Sequence, residues 1–217
     1  FVDVEGDSIF SINAGGSAFF KALGENVSHT AGKVVNSGEL ALEEEMFVEH
    51  YEATLGGVTT LSDGGSLVAN GDDPLLFTGA TLSGDGGVCK GEVKLAGDAK
   101  LAPGNPENEG SIGKLTIDGD LEMEPTAVTE AKVLGSKATA IKVTGNAKIG
   151  GTANVDVKWR PEEDTEIPLL IADGGIDGTY ESCTGCGEED VSTYKEVEGR
   201  RLDDGMGSGT GSGSGAF

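Results

Sequence analysis

Apolar and polar residues alternate with a period of two through residues 87–159. Cys89, Val93, Leu95, Ala99 and Leu101 share one parity, and Lys90, Glu92, Lys94, Asp98 and Lys100 hold the other. Leu115, Ile117, Leu121 and Met123 repeat the pattern against Lys114, Thr116, Asp118, Asp120, Glu122 and Glu124. A third run sets Ile141, Val143, Ala147, Ile149, Ala153, Val155, Val157 and Trp159 against Lys142, Thr144, Asn146, Lys148, Thr152, Asn154, Asp156 and Lys158. Period two over this length predicts strands with one dry face and one wet face. A helix would need apolar steps of three and four, and glycine interrupts each run. Gly91, Gly97, Gly119, Gly145 and Gly151 keep the apolar parity, which predicts tight corners or close backbone approach at those points.

The flanks carry the same pattern less strictly. Ile9, Phe10, Ile12, Phe19 and Phe20 offer apolar surface for a cap over residues 1–30, or for continuation of a longer stack. KVVNSGELAL, residues 33–42, reads as strand, turn and strand about Asn36-Ser37-Gly38. Residues 43–53 admit a helical reading through Leu42, Met46 and His50, but Phe47, Tyr51 and Leu55 carry strand parity, and strand is the expectation. Asp63-Gly64-Gly65 predicts a corner, and the change of parity between Val88 and Cys89 predicts a bulge or a second corner. Leu101, Leu121 and Ile141 recur at steps of twenty, as do Leu95 and Leu115. Such a period suggests stacked coils, each too small to bury its own apolar side.

The motif Leu101-Ala102-Pro103-Gly104-Asn105, followed by Ile112-Gly113-Lys114-Leu115-Thr116-Ile117-Asp118-Gly119-Asp120-Leu121, resembles the passenger-associated repeat of bacterial autotransporters. Residues 143–155 resemble the next part of that repeat. Pro168-Leu169-Leu170-Ile171-Ala172 and Gly175-Ile176-Asp177-Gly178-Thr179-Tyr180 resemble its closing strands, so the resemblance spans about residues 79–181. It implies a right-handed parallel β-helix displayed at the cell surface, in an adhesin or related protein, with no catalytic residue. Two features depart from that family: nothing after Tyr180 could form the usual membrane barrel, and the chain has three cysteines where such passengers are poor in them.

The expected fold is therefore all-β, a β-solenoid over residues 1–181, with a Cys-containing loop and a Gly/Ser-rich tail over residues 182–217. Roughly eight to ten coils would give a rod of about 40 to 50 Å. Glycine at 37 positions and aromatics at 5% suit many turns around a narrow interior. With 38 acidic against 15 basic residues the net charge is −23, which disfavours nucleic acid and anionic membrane faces as partners. The same charge reads either as a solvating surface or as weak divalent-cation binding at carboxylate pairs. No apolar run reaches eighteen residues, so no transmembrane helix is expected. Phe1 is not an initiator methionine and no signal peptide precedes it, which makes the chain a processed form or a piece of something longer.

Candidate chemistry is sparse. His29 and His50 are the two histidines, and both are expected on solvated positions. Gly6-Asp7-Ser8 lacks the context of a nucleophile, and no GxSxG occurs. A polysaccharide lyase would need a basic residue beside an acidic calcium cluster, yet Arg160, Arg200 and Arg201 are the only arginines and none lies in an aspartate-rich strand. Asp118 and Asp120 share an outer face, as a glycosidase pair could, although outward acids on such a fold usually serve solvation. Cys89 falls on the inward parity and reads as a buried thiol. Cys183 and Cys186 form C-T-G-C without the setting of a redox helix or a second zinc-ligand pair, and a local disulfide is expected. The tail, residues 203–217, has linker composition, and Met206 and Phe217 are its candidate anchors on another copy. These readings converge on a non-catalytic structural or adhesive module of an extracellular, cell-surface assembly. It would polymerise with other copies into a filament or layer, without cofactor or membrane insertion. The alternative is a β-helix that binds or cleaves polysaccharide, including surface glycans.

Overall fold

The computed structural model describes residues 4–20, 28–104, 112–159 and 168–185. Among them every regular element is a β-strand, and no helix is present to cross a membrane. Three long strands, β1 (Val4–Ile12), β3 (Ser28–Asn36) and β5 (Glu45–Ala53), alternate with the short strands β2 (Ser17–Phe20), β4 (Glu39–Leu42) and β6 (Val58–Leu61). From there short strands follow in threes: β7 (Ser66–Ala69), β8 (Leu75–Thr78) and β9 (Thr81–Gly84), then β10 (Val88–Lys90), β11 (Val93–Ala96) and β12 (Lys100–Pro103). The next set is β13 (Lys114–Asp118), β14 (Leu121–Met123) and β15 (Val128–Leu134), with β16 (Lys137–Ala138) folding back on β15. The last two sets are β17 (Ala140–Val143), β18 (Asn146–Ile149) and β19 (Thr152–Trp159), then β20 (Leu170–Ala172), β21 (Gly175–Gly178) and β22 (Ser182–Thr184).

Each strand pairs in parallel with the strand one set away in sequence. β7, β10, β13, β17 and β20 make one row, and β8, β11, β14, β18 and β21 make a second. β2, β4, β6, β9, β12, β15, β19 and β22 make a third. β5 joins the first two rows: Glu45–Val48 pairs with β7, while Glu52 and Ala53 pair with β8. The chain thus visits its rows in the same order eight times among the described residues. Between named strands, only the β15–β16 hairpin is antiparallel there.

This pairing explains why parity persisted through residues 87–159. Cys89, Val93, Leu95 and Leu101, carried by three strands, and Ala99 at a corner are all buried, because each corner between those strands preserves the alternation. The five glycines fall between strands, at the corners expected for them. Asn36-Ser37-Gly38 and Asp63-Gly64-Gly65 also lie at turns, and the corner before Val88 accounts for the parity change. Residues 45–53 are strand, but the inward parity changes within it, from Met46 and Val48 to Tyr51 and Ala53. Leu55 belongs to a corner and is 82% exposed, so it does not extend that parity.

Three expectations need correction. The spacing of twenty is not the repeat: Thr81 pairs with Lys100, nineteen positions on, and Lys100 with Val128, twenty-eight positions on. Leu101, Leu121 and Ile141 lie in three different rows. Val155 and Val157 hold inward parity but are not buried, because β22 pairs with β19 only at Thr152, Ala153 and Asn154 among the described residues. Separately, β1 and β2, within residues 4–20, pair in parallel with β3 and β4. Cys183 lies on β22, paired with Ala153, where a loop was expected.

The rows enclose one apolar interior. Met46, Leu67, Cys89, Ile117 and Val143 occupy successive register positions in the first row. Leu75, Val93, Leu121 and Ala147 do so in the second. Burying a leucine or valine of this kind stabilises by about 1.5–3 kcal/mol, so the interior is the dominant favourable contribution.

Candidate functional surfaces

The residues with chemical potential are dispersed and mostly engaged in joining one pass of the chain to the next. His29 Nε2 lies 3.2 Å from Glu44 Oε2, with both side chains largely buried and the imidazole edge-on to Phe20 at 4.8 Å. This differs from the solvated position expected, and the Glu44 carboxylate supplies the buried ring with a polar partner. His50 Nδ1 lies 3.2 Å from Asp73 Oδ2 at a more open position. The two histidines thus have separate acidic partners.

Asp118 and Asp120 flank the corner between β13 and β14. Asp118 Oδ1 accepts from the Thr144 hydroxyl at 2.9 Å, and Asp120 Oδ1 accepts from the Asn146 backbone N–H at 2.7 Å. Their acceptor capacity is directed to the next pass of the chain, which fits a joining role better than paired acid and base. In the second row Glu122 sits between Lys148, at 2.9 Å, and Lys94, at 3.5 Å. The hydrogen bond from Lys148 and the charge of Lys94 hold its carboxyl below the usual carboxylate range. Lys90 meets Glu45 at 2.6 Å, and Lys100 meets Glu130 at 3.0 Å.

Several buried polar groups interrupt the apolar interior among the described residues, one set gathered around Tyr51. The Tyr51 hydroxyl lies 2.5 Å from Thr59 Oγ1, and Asn36 Nδ2 donates to the Val58 carbonyl at 3.0 Å. Asn36 Oδ1 accepts from the Gly38 N–H, so one side chain serves both the turn and the interior. Burial pushes the Tyr51 phenol up to about 12 despite the hydrogen bonds from Thr59 and Asn36. The sequence marked Asn36 only as a turn residue; an asparagine on inward strand parity was the available signal for an interior role. Among the described residues no buried side-chain nitrogen or oxygen lacks a partner.

Cys89 is free and fully buried, and burial pushes its thiol up to about 12. Cys183 is disulfide-bonded. Cys186, Met206, Phe217, Arg160, Arg200 and Arg201 lie outside the described residues, as do the side chains of Asp7 and Ser8.

Two open grooves lie on the outside. The larger, about 450 Å³, runs along the third row and is lined chiefly by Ala102, Pro103, Glu130, Lys132, Asn154 and Asp156. The smaller, about 310 Å³, lies by Glu45, Ser66, Val88 and Lys90, whose polar groups already bond to one another. Among the described residues no three histidine, cysteine or acidic side chains converge as a metal site would require. Comparison with family models, with curated proteins and with solved structures gives no match to this chain.

Proposed function

We propose that this chain is a right-handed parallel β-helix with a mechanical rather than chemical task, a structural or adhesive module of an extracellular surface assembly made with other copies. One observation carries the reading: a single apolar interior continues through all the rows, while outer charged groups such as Glu122, Asp118 and Asp120 bond from one pass to the next. A fold held this way resists bending because each pass is tied to its neighbours by backbone ladders, side-chain stacking and surface pairs. The disulfide at Cys183 supports an oxidising compartment. The resemblance of residues 79–181 to autotransporter passenger repeats supports surface display. The net charge of −23 argues against nucleic acid as the partner.

Electron microscopy of the native material, together with assays of glycan turnover, tests the proposal. The expected result is rods in a filament or layer, with no turnover of acidic or neutral polysaccharides in the presence or absence of calcium. Turnover would refute the non-catalytic reading. The groove beside Glu130 and Asp156 favours polysaccharide binding as the second reading. Titration of the full chain with oligosaccharides, repeated on Asp156→Ala, separates the two: binding that the substitution abolishes would favour the second.

A further inference from the structure

Asn70-Gly71 is the one asparagine–glycine pair in the chain. It lies at the corner between β7, which ends at Ala69, and β8, which begins at Leu75, and both residues are exposed. The Asn70 N–H is fixed, donating to the Val48 carbonyl at 2.7 Å, and beyond the corner the Leu75 N–H donates to the Glu92 carbonyl at 2.8 Å. Between these two anchors the Gly71 N–H and the Asn70 carboxamide have no hydrogen-bond partner among the described residues. A backbone nitrogen so placed can attack the side-chain carbonyl carbon of the residue before it, since the ring that closes has five members. Two things ordinarily prevent this: the following residue's Cβ crowds the approach, and hydrogen bonds hold the nitrogen and the carboxamide apart. Glycine removes the first obstacle, and this corner removes the second.

The other asparagines of the described residues show the contrast. Asn36 is buried, and its carboxamide is held at both atoms, Nδ2 donating to the Val58 carbonyl and Oδ1 accepting from the Gly38 N–H. The nitrogen that would attack it, that of Ser37, donates to the Ile12 carbonyl at 2.7 Å. Asn146 Nδ2 donates to Asp120 at 3.4 Å. Asn13, Asn146 and Asn154 precede Ala14, Ala147 and Val155, whose side chains crowd the nitrogen.

We propose that Asn70 is a self-modifying site in the folded chain, converted through a succinimide to aspartate and isoaspartate. The Gly71 nitrogen bonds to Asn70 Cγ and gives up its proton as the Cγ–Nδ2 bond breaks, so that ammonia leaves and the ring closes. Water then opens the ring. Addition at Cγ restores the ordinary main chain with an aspartate side chain, and addition at the Asn70 main-chain carbonyl carbon leaves the chain running through Cγ as isoaspartate. The reaction consumes one water, releases one ammonia and involves no change of oxidation state. Either product sets a further carboxylate beside Asp72 and Asp73. Isoaspartate also lengthens the main chain by one carbon, which the corner can absorb because the anchors at the Asn70 and Leu75 N–H groups lie outside the altered link.

This inference goes beyond the structural reading above and does not rest on it: glycan turnover would refute that reading and leave the site standing. Peptide mapping by mass spectrometry, residue by residue on the full chain after incubation in warm neutral buffer, tests it. Amide loss is expected first at Asn70, with isoaspartate and aspartate both among the products and a transient peptide lighter by one ammonia. Asn36 reacts only when its corner opens locally, so in the native chain it should lag Asn70 by about a hundredfold or more. In urea that gap should narrow, since only the glycine then distinguishes the two. Retention of the Asn70 amide while Asn13, Asn36, Asn146 or Asn154 loses its own overturns the proposal. So does conversion of Asn70 in urea alone, or a product that is aspartate without isoaspartate, which would mean direct hydrolysis without a ring.

Discussion

Asp120 and Leu121 stand side by side at the corner between β13 and β14, one turned to solvent and the other between Val93 and Ala147 in the second row. Leu121→Asp would bury a carboxylate among apolar neighbours, and a loss above about 4 kcal/mol is expected in urea denaturation. Asp120→Ser is expected to cost about 1 kcal/mol, because the acceptor for the Asn146 N–H is withdrawn. The solvent-facing parity of Asp120 alone would have implied no loss. Tyr51→Phe removes the hydroxyl that meets Thr59, and about 1–3 kcal/mol should be lost by the same measurement.

Cys89 and Tyr51 also make alkaline stability a residue-scale property. Burial raises the thiol from its ordinary 9.0 to about 12, and the phenol from 10.0 to about 12. Both groups remain neutral in the folded chain while the unfolded chain ionises, so their contribution is complete below pH 9 and is lost as pH rises towards 12. The slope should approach 1.4 kcal/mol per pH unit for each group in its window. Urea melts from pH 8 to 11 should show the fall beginning near 9 and steepening above 10, and Cys89→Ala should remove its first part. Iodoacetamide should leave Cys89 unmodified in the native chain and label it after denaturation.

At the scale of elements, corners decide whether strands can stack. Gly151, between β18 and β19, has φ +77°, and a Cβ there would overlap the carbonyl oxygen of Ala127 in the preceding pass. Gly56 has φ +82° with open space around the position of its missing Cβ. Gly151→Ala is therefore expected to be severely destabilising, while Gly56→Ala should cost only the left-handed backbone, about 1–2 kcal/mol. Thermal unfolding of the two variants checks that contrast. The Lys94–Glu122–Lys148 ladder is worth less, since its groups are exposed. Glu122→Gln should produce a small loss in urea that disappears at high salt.

At the scale of the molecule, stability is distributed along a repeated contact, and each pass of the chain needs a neighbour on either side. The tail contact expected through Met206 and Phe217 lies outside the described residues. Deleting residues 203–217 should weaken any filament while leaving the melting of the stack nearly unchanged.

The sequence by itself determined the strand class, the inward residues from Cys89 to Ile149 and the corner glycines, because alternation and glycine spacing are local consequences of backbone geometry. It also placed Cys89 inside, by parity alone. Tertiary structure decided what pairs with what. Corners that preserve parity conceal where one strand ends and the next begins, so Cys89 to Leu101 reads as one run though three rows share it. Passes of unequal length made the spacing of twenty accidental, since loops of different size can be inserted at corners without disturbing the stacked register. The engagement of Asp120 with Asn146 and of His29 with Glu44 depends on register between distant segments. That register is set by the packing of the whole interior, which no local pattern records.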